Sequence, residues 1–186
     1  AENRTSSHHI AKRLAERHPL LYVESPGLRA PKATARDARK LWKKLRRAAS
    51  LPSPIDRQMW LMTLPQIPFR RLPMARALNR WMGRWLVRRA MRHLGFERPF
   101  VWCAVPHVEP LAGQLDARFL VYYCIDDYAS LPDVDRREIG RMDESLARTA
   151  DHIFVSSQAL LERKRALNPH VTYSPHGVDV ELFRQA

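Results

Sequence analysis

The sequence has little of several features that mark common classes of protein. It contains only two cysteines in 186 residues, Cys103 and Cys124, and each lies within a strand-like apolar run. Two such thiols indicate buried side chains rather than a disulfide framework or a metal site, and they are typical of a reducing cytosol. No apolar run approaches the roughly 20 residues of a membrane span, and no signal-peptide pattern is present.

Glycine is also sparse, and the glycine motifs of self-contained enzymes are missing. The chain holds six glycines and has no G-x-G-x-x-G, no phosphate-binding P-loop and no G-x-S-x-G. Hydrolase, kinase or dehydrogenase chemistry contained within this chain is therefore unsupported. The histidines are scattered, and no spacing of His, Cys and Asp indicates zinc.

Acidic side chains are outnumbered by basic ones. The chain has 19 Asp and Glu against 32 Lys and Arg, which gives a formal net charge of +13. This excess predicts an acidic partner, such as a nucleic acid, an anionic lipid surface or a phosphorylated substrate. A generally basic proteome is the alternative explanation. The length is sufficient for one domain with a sizeable core.

The last third of the chain alternates strand and helix patterns. Short runs rich in β-branched and aromatic residues predict strands at 119–125, 152–155 and 171–173. Apolar residues at three- and four-residue steps predict a helix ending near Ala150, and a second helix opens at Ser156. The alternation indicates an α/β fold with a parallel sheet and right-handed crossovers. Ligands of such sheets bind at the carboxyl ends of the strands.

The motifs at these strand ends resemble the group 1 retaining glycosyltransferases. In chain order they are Asp126-Asp127 after a strand, Glu144 in the next helix, Ala150-Asp151 opening a strand, Ser156-Ser157 closing it, and Pro175-His176-Gly177-Val178-Asp179 followed by Phe183. The family pattern for the last motif is P-N-G-V-D-x-x-x-F, so His176 replaces its Asn. The resemblance spans about a third of the chain.

The resemblance implies a GT-B fold, in which two Rossmann-like domains face each other across a cleft. Residues 1–186 would form a single Rossmann-like N-terminal domain, with a parallel sheet flanked by helices. We expect this chain to be a fragment that lacks the first strand and the C-terminal donor-binding domain. The complete cytoplasmic enzyme would move a sugar from a nucleotide-sugar to the hydroxyl of a glycan or lipid-linked acceptor with retention at the anomeric carbon. By the same resemblance it would require neither a metal nor a cofactor, since the nucleotide-sugar is a substrate, and the fragment alone would be inactive.

The candidate catalytic residues are His107, Asp126 and Asp127. His107 lies in a P-H-V-E-P run after a predicted central strand at 100–105, and this run is similar to a family loop near the transferred sugar. A neutral imidazole there could hydrogen-bond a sugar or acceptor hydroxyl, or His107 could be a capping or surface residue. One aspartate could orient an acceptor hydroxyl or help remove its proton, or it could cap the following segment.

Further polar residues are expected to contact donor or acceptor. They are Thr5, Ser6, Ser7, His9, Glu109, Ser157, His176 and Gly177. The residues near the N-terminus occupy the place where the family has a glycine-rich loop that touches the donor diphosphate at a helix N-terminus. Here hydroxyls replace the glycines, and an ordinary Ser/Thr helix cap is the alternative.

Two strongly basic helix patterns, at 36–47 and 74–93, carry Trp and Leu beside Arg and Lys. This composition is typical of a helix on anionic lipid, docked on the inner membrane leaflet. We expect the Trp side of the second helix to pack on the sheet and the Arg side to face lipid. The expected membrane-facing residues are Lys43, Lys44, Arg47, Arg70, Arg71, Arg80, Arg84 and Arg88. A nucleic-acid-binding module and a non-catalytic partner subunit remain alternatives.

Overall fold

A computed structural model describes residues 6–24, 51–65, 67 and 72–177. Its helices and strands, in chain order, are α1 (Ser6–Ala15), β1 (Leu20–Glu24), β2 (Ser53–Asp56), β3 (Met59–Thr63), α2 (Pro73–Leu94), β4 (Phe100–Cys103), α3 (Glu109–Ala112), β5 (Phe119–Cys124), α4 (Arg136–Thr149), β6 (His152–Val155), α5 (Gln158–Arg165) and β7 (Val171–Tyr173). Short 3₁₀ turns occupy Pro106–Val108 and Tyr128–Ser130. The predicted helix at 36–47 lies outside the described residues.

The second half of the chain forms a four-strand parallel sheet in the order β4-β5-β6-β7. The predicted α/β class is thus confirmed, together with the predicted strands and helices of this region. Each strand is joined to the next by a helical connection, as the crossover between parallel strands requires. The arrangement is compatible with a Rossmann-like fold.

One face of this sheet forms the main core. Alternate strand residues point to the same face, and Tyr122 and Ile153 are fully buried there. They pack against Leu146 of α4 and Leu160 of α5. The apolar residues of α4 and α5 form one side of each helix, and this side faces the sheet. Burial of these side chains stabilises the packing of both helices on the sheet.

The opposite face of the sheet carries a row of aromatic side chains. Trp102 stacks on Phe154 with ring centroids 5.7 Å apart, and Phe100 contacts Phe119 at 5.9 Å. Phe100, Trp102 and Phe119 are exposed. The expectation that the strand at 100–105 is central is wrong, because β4 lies at one end of the described sheet. The sequence of β4 resembles that of a buried strand because Phe100 and Trp102 are apolar, although both side chains are exposed.

A second, three-strand sheet has the order β1-β3-β2. The short apolar runs at 20–23 and 59–62 lie in β1 and β3, which are parallel. The antiparallel strand β2 was not predicted, because Pro52 and Pro54 looked like the loop that ends a helix. Pro54 is tolerated in β2 because this strand lies at the edge of the sheet. Helix α1 covers the sheet through Ala11 and Ala15, which contact Met59.

Helix α2 follows the predicted helix at 74–93. It begins with Pro73, where a missing N–H costs nothing, and it ends at Gly95, which adopts a left-handed conformation with φ 71°. Its buried residue Leu86 packs in a cluster that contains Met62 of β3 and Val101 of β4, so α2 links the two sheets. None of the helices in the described ranges is long and apolar enough to cross a membrane.

Candidate functional site

The carboxyl ends of the four parallel strands bring the candidate residues of the second half to one edge of the sheet. His107 follows β4, Asp126 and Asp127 follow β5, Ser157 follows β6 and His176 follows β7. Parallel strands share their carboxyl edge, which is where α/β proteins bind ligands. The prediction that these segments lie at strand ends is therefore confirmed by the topology, while their roles stay predictions.

Hydrogen bonds connect the loops at this edge. The hydroxyl of Tyr128, beyond β5, donates to the carbonyl of Ala104 beyond β4 at 2.7 Å. The hydroxyl of Ser156, beyond β6, donates to the carbonyl of Ile125 at 2.8 Å. Burial raises the pKa of Tyr128, so its hydroxyl stays protonated as a donor. The edge is thus a connected rim rather than a set of independent loops.

Asp127 is held in an ion pair at this rim. Its Oδ2 accepts hydrogen bonds from Arg163 of α5 at 2.7 Å and from the Ser130 hydroxyl at 2.8 Å. The hydrogen bond from Arg163 holds the pKa of Asp127 below its ordinary value, and the bond from Ser130 acts in the same direction. A carboxylate stabilised in this way is a weak proton acceptor. The geometry therefore disfavours proton removal by Asp127 and favours a structural contact with α5.

Asp126 has a different environment from its neighbour. It is exposed, and its Oδ1 accepts the backbone N–H of Asp127 at 2.8 Å. This contact uses one carboxylate oxygen to shape the loop, as aspartates do in turns. The two adjacent aspartates therefore differ in environment: Asp127 is engaged by Arg163, whereas Asp126 is exposed.

His107 and Glu109 lie in the turn after β4. His107 is half-buried, its Nδ1 atom is buried, and Pro106 opens the 3₁₀ turn that carries it. Glu109 begins α3, and its Oε1 accepts a hydrogen bond from the Ser145 hydroxyl of α4 at 2.7 Å. This bond fixes the histidine-bearing turn against α4. Glu109 is thus engaged with the scaffold in this structure.

Ser157 is the N-cap of α5. Its hydroxyl oxygen accepts the backbone N–H of Leu160 at 3.3 Å, which satisfies one of the free donors at the helix start. A ligand at Ser157 would have to share this hydroxyl with the cap. His176 and Gly177 are exposed at the end of the described chain.

A buried polar network beneath the rim was not predicted. Asp143 of α4 accepts a hydrogen bond from the Tyr122 hydroxyl at 2.6 Å and pairs with the ammonium of Lys164 of α5. The ammonium also lies 5.6 Å from the centre of the Tyr122 ring. Burial raises the pKa of Tyr122 well above its ordinary value, so its hydroxyl remains a donor. The network joins β5, α4 and α5.

The sequence contains a pattern that indicates this network, although the family motif includes Glu144 rather than Asp143. Glu144 is exposed, whereas its neighbour Asp143 faces inward. Leu160, Lys164 and Asn168 recur every four residues and are all buried. A charged residue within such an apolar stripe requires a buried partner, because burial of an unpaired charge is unfavourable. The same stripe positions the adjacent residue, Arg163, toward Asp127.

The N-terminal candidates belong to a different part of the fold. Helix α1 begins at Ser6, with Ser6 and Ser7 half-buried and His9 exposed, and it packs on β1 and β3. The rim of the four-strand sheet is built from other segments, those that follow β4, β5, β6 and β7. The candidates outside the described residues are Thr5, Lys43, Lys44, Arg47, Arg70 and Arg71.

The basic helix α2 carries the described membrane-facing candidates, Arg80, Arg84 and Arg88. The expectation that its Trp side packs on the sheet is wrong: Trp81 is 56% exposed and Trp85 is 46% exposed. Its buried face consists of Gly83, Leu86, Val87 and Ala90. The helix has apolar residues on two opposite sides, and the side with smaller residues packs inward.

Within the described ranges, no group of three or more His, Cys, Asp or Glu side chains could hold a metal ion. Comparison with known proteins found no family profile and no curated protein that matches this chain.

Proposed function

We propose that this chain is the N-terminal, acceptor-side domain of a retaining glycosyltransferase of the GT-B fold. The observation that carries the proposal is the shared carboxyl edge of four parallel strands, which presents His107, Asp126, Asp127 and His176 in the motif order of that family. Hydrogen bonds between neighbouring loops support the idea that the edge acts as one site. The polar side chains suit hydroxyl-rich ligands.

The residues take distinct roles in this proposal. The His107 imidazole hydrogen-bonds a hydroxyl of the sugar or acceptor, and the exposed Asp126 orients the attacking acceptor hydroxyl. The ion pair between Asp127 and Arg163 holds the loop after β5 against α5. The charges of the two side chains compensate each other, so neither is assigned to the substrate. The nucleotide-sugar is a substrate, and its nucleotide is bound by a C-terminal domain outside this chain. The acceptor is a glycan or a lipid-linked sugar in the cytoplasm.

The test uses protein expressed from the complete reading frame that contains this chain. Release of nucleoside diphosphate is measured with a panel of nucleotide-sugars, with and without glycan and lipid extracts as acceptors. The variant H107A is expected to lower kcat on the order of 100-fold, as loss of a positioned polar group does. The control H170A removes an exposed histidine that precedes β7, at the opposite edge, and should leave kcat unchanged.

Two results would refute the proposal. The first is the absence of nucleotide release with every donor and acceptor, despite a folded protein. The second is measurable sugar transfer by residues 1–186 alone, because donor binding is assigned to a different domain.

Binding of single-stranded nucleic acid is a second candidate function. The exposed aromatic row of the four-strand sheet, with Trp102 and Phe100, favours it, because bases stack on such rings. Arg118 lies over the Phe100 ring at 5.9 Å and adds positive charge. A steep salt dependence of oligonucleotide binding, lost in W102A, would support this function. Binding that W102A leaves unchanged would reject it.

A further inference from the structure

The exposed side of α2 carries a stripe of large apolar side chains. Met74 is 85% exposed and Leu78 is 47% exposed, and they continue the row formed by Trp81 and Trp85. Steps of four, three and four residues place these side chains on one helix face. The stripe covers 11 residue steps, which corresponds to about 16 Å along the helix. We refer to these four residues as the indole stripe.

The same helix is exclusively basic among its charged residues. Pro73–Leu94 contains no Asp or Glu and includes Arg76, Arg80, Arg84, Arg88, Arg89 and Arg92. Arg76 pairs with Glu138 at 3.7 Å. Arg84 and Arg88 donate instead to neutral oxygens of Gln114, one on its side chain at 2.8 Å and one on its carbonyl at 2.6 Å. These bonds hold the two guanidinium groups in place and leave their charge available to an anion.

A shallow cavity of about 580 Å³ adjoins the indole stripe. Its lining includes Trp81 and Trp85 together with four arginines, Arg84, Arg88, Arg92 and Arg98, and Asp116 is its single acidic side chain. Arginine binds phosphate oxygens in a bidentate manner. Apolar side chains and anion-binding groups therefore occur on one continuous surface.

We propose that this surface docks on a membrane that contains anionic phospholipid. The indole stripe enters the interfacial layer, where tryptophan is favoured because its ring is apolar and its N–H remains near water. The arginines beside the stripe contact lipid phosphates. This docking does not depend on the transferase activity proposed above.

An anionic membrane fits these observations better than a nucleic acid does. Met74 and Leu78 supply about half of the exposed stripe and offer no ring on which a base can stack. A lipid interface accepts both aliphatic and indole side chains, and an anionic one supplies negative charge opposite a helix without acidic residues. The occupant must be apolar and anionic at once, which describes a bilayer with acidic lipids.

Vesicle co-sedimentation of the 186-residue chain tests the proposal. Vesicles of phosphatidylcholine alone are compared with vesicles that also contain phosphatidylglycerol. Binding is expected only with the anionic lipid, and added salt should weaken it. Because Trp81 and Trp85 enter a less polar layer, tryptophan emission should shift to shorter wavelength on binding, and this shift should be lost in W81F/W85F.

Matched variants separate a specific surface from net charge. R84Q/R88Q is expected to weaken binding about 25-fold, since each arginine near an anionic surface contributes about fivefold. The control R137Q/R141Q removes the same charge from exposed positions of α4 and should weaken binding by only about twofold. Binding that persists at high salt is expected to depend on the two tryptophans, and W81S/W85S should abolish it. Circular dichroism verifies that all variants are folded.

Three outcomes would overturn the proposal. One is the absence of binding to phosphatidylglycerol vesicles by the folded chain. Another is an equal loss of binding in R84Q/R88Q and R137Q/R141Q, which would show that only net charge matters. The third is tight binding of an oligonucleotide that requires Arg84 and Arg88 while vesicles remain unbound.

Discussion

Replacement of Lys164 by methionine is the most informative perturbation of the scaffold beneath the rim. The Lys164 side chain is 4% exposed, and methionine preserves much of its apolar stem while removing the ammonium. Asp143 would then keep only the Tyr122 hydroxyl as its donor among the contacts described. Removal of one member of a buried ion pair costs about 3–5 kcal/mol, because the remaining charge stays buried.

The expected loss in K164M lies at the lower end of this range. Asp143 retains the hydrogen bond from Tyr122, and bonds to charged groups contribute about 1.5–3 kcal/mol. We therefore expect the free energy of unfolding of K164M to fall by about 3 kcal/mol. Replacing both partners, in K164M/D143L, should cost less than K164M alone, since no unpaired charge remains.

Urea unfolding followed by circular dichroism measures these free energies, with m-values compared among the variants. K12M is the matched control, because Lys12 is exposed on α1 and its replacement should change stability by less than about 0.5 kcal/mol. A loss below about 1 kcal/mol in K164M would refute the reasoning. So would a double variant whose loss equals the sum of the two single losses, because the pair would then be uncoupled.

Further predictions concern a helix cap, the thiols and the acid range. G95A should destabilise the protein by about 1–2 kcal/mol in thermal melts, because Gly95 has φ 71°. G140A should instead stabilise it by about 0.5–1 kcal/mol, because Gly140 lies within a helix and a new Cβ would lie 4.0 Å from the Cβ of Ala129. Cys103 should resist Ellman's reagent until the chain unfolds, since burial raises its pKa from 9.0 to about 12, and native reactivity at the rate of a free thiol would contradict this. The folded pKa of Asp127 lies below its ordinary value of 3.8, so the stabilisation is present above that value and is lost as the pH falls through the folded pKa. D127N should therefore lower the free energy of unfolding by up to about 1 kcal/mol at neutral pH and leave it unchanged in strong acid. Urea unfolding at each pH measures this difference, and an equal loss at both pH values would contradict the ion pair.

Much of the fold was predictable because local pattern and tertiary burial agree in the second half. β5 is apolar along nearly its whole length, and five of its six residues are buried. Ser157 lies where a helix cap is expected and does cap α5. Gly95 ends α2 in the left-handed conformation that glycine permits. In each case the residue type favours the same local structure that the tertiary packing requires.

The orientation of α2 was not predictable from periodicity. The helix offers two apolar sides, one with Trp81 and Trp85 and one with Leu86 and Ala90, and hydrophobicity alone favours the larger indoles for burial. The sheet instead contacts the smaller side chains, because the helix and the sheet can then approach closely. Shape therefore decided the direction, and sequence pattern does not report shape.

The location of the candidate site was predictable, whereas its electrostatics were not. Parallel strands require that His107 and Asp127 lie at one edge, whatever the details of their loops. The partner of Asp127 is Arg163, 36 positions away, and the contact depends on the rotation of α5. That rotation is set by the burial of Lys164, which sequence pattern treats as an exposed charge.

The measurement that tests the glycosyltransferase account most directly is the sequence of the coding DNA on both sides of this chain. The account predicts that the frame continues past Ala186 into an α/β-patterned segment of about 150–200 residues, the size of one further domain. That segment should carry the paired glutamates of a nucleotide-sugar site, as the resemblance implies. A stop codon directly after Ala186 would contradict the account and would leave a binding module or a partner subunit.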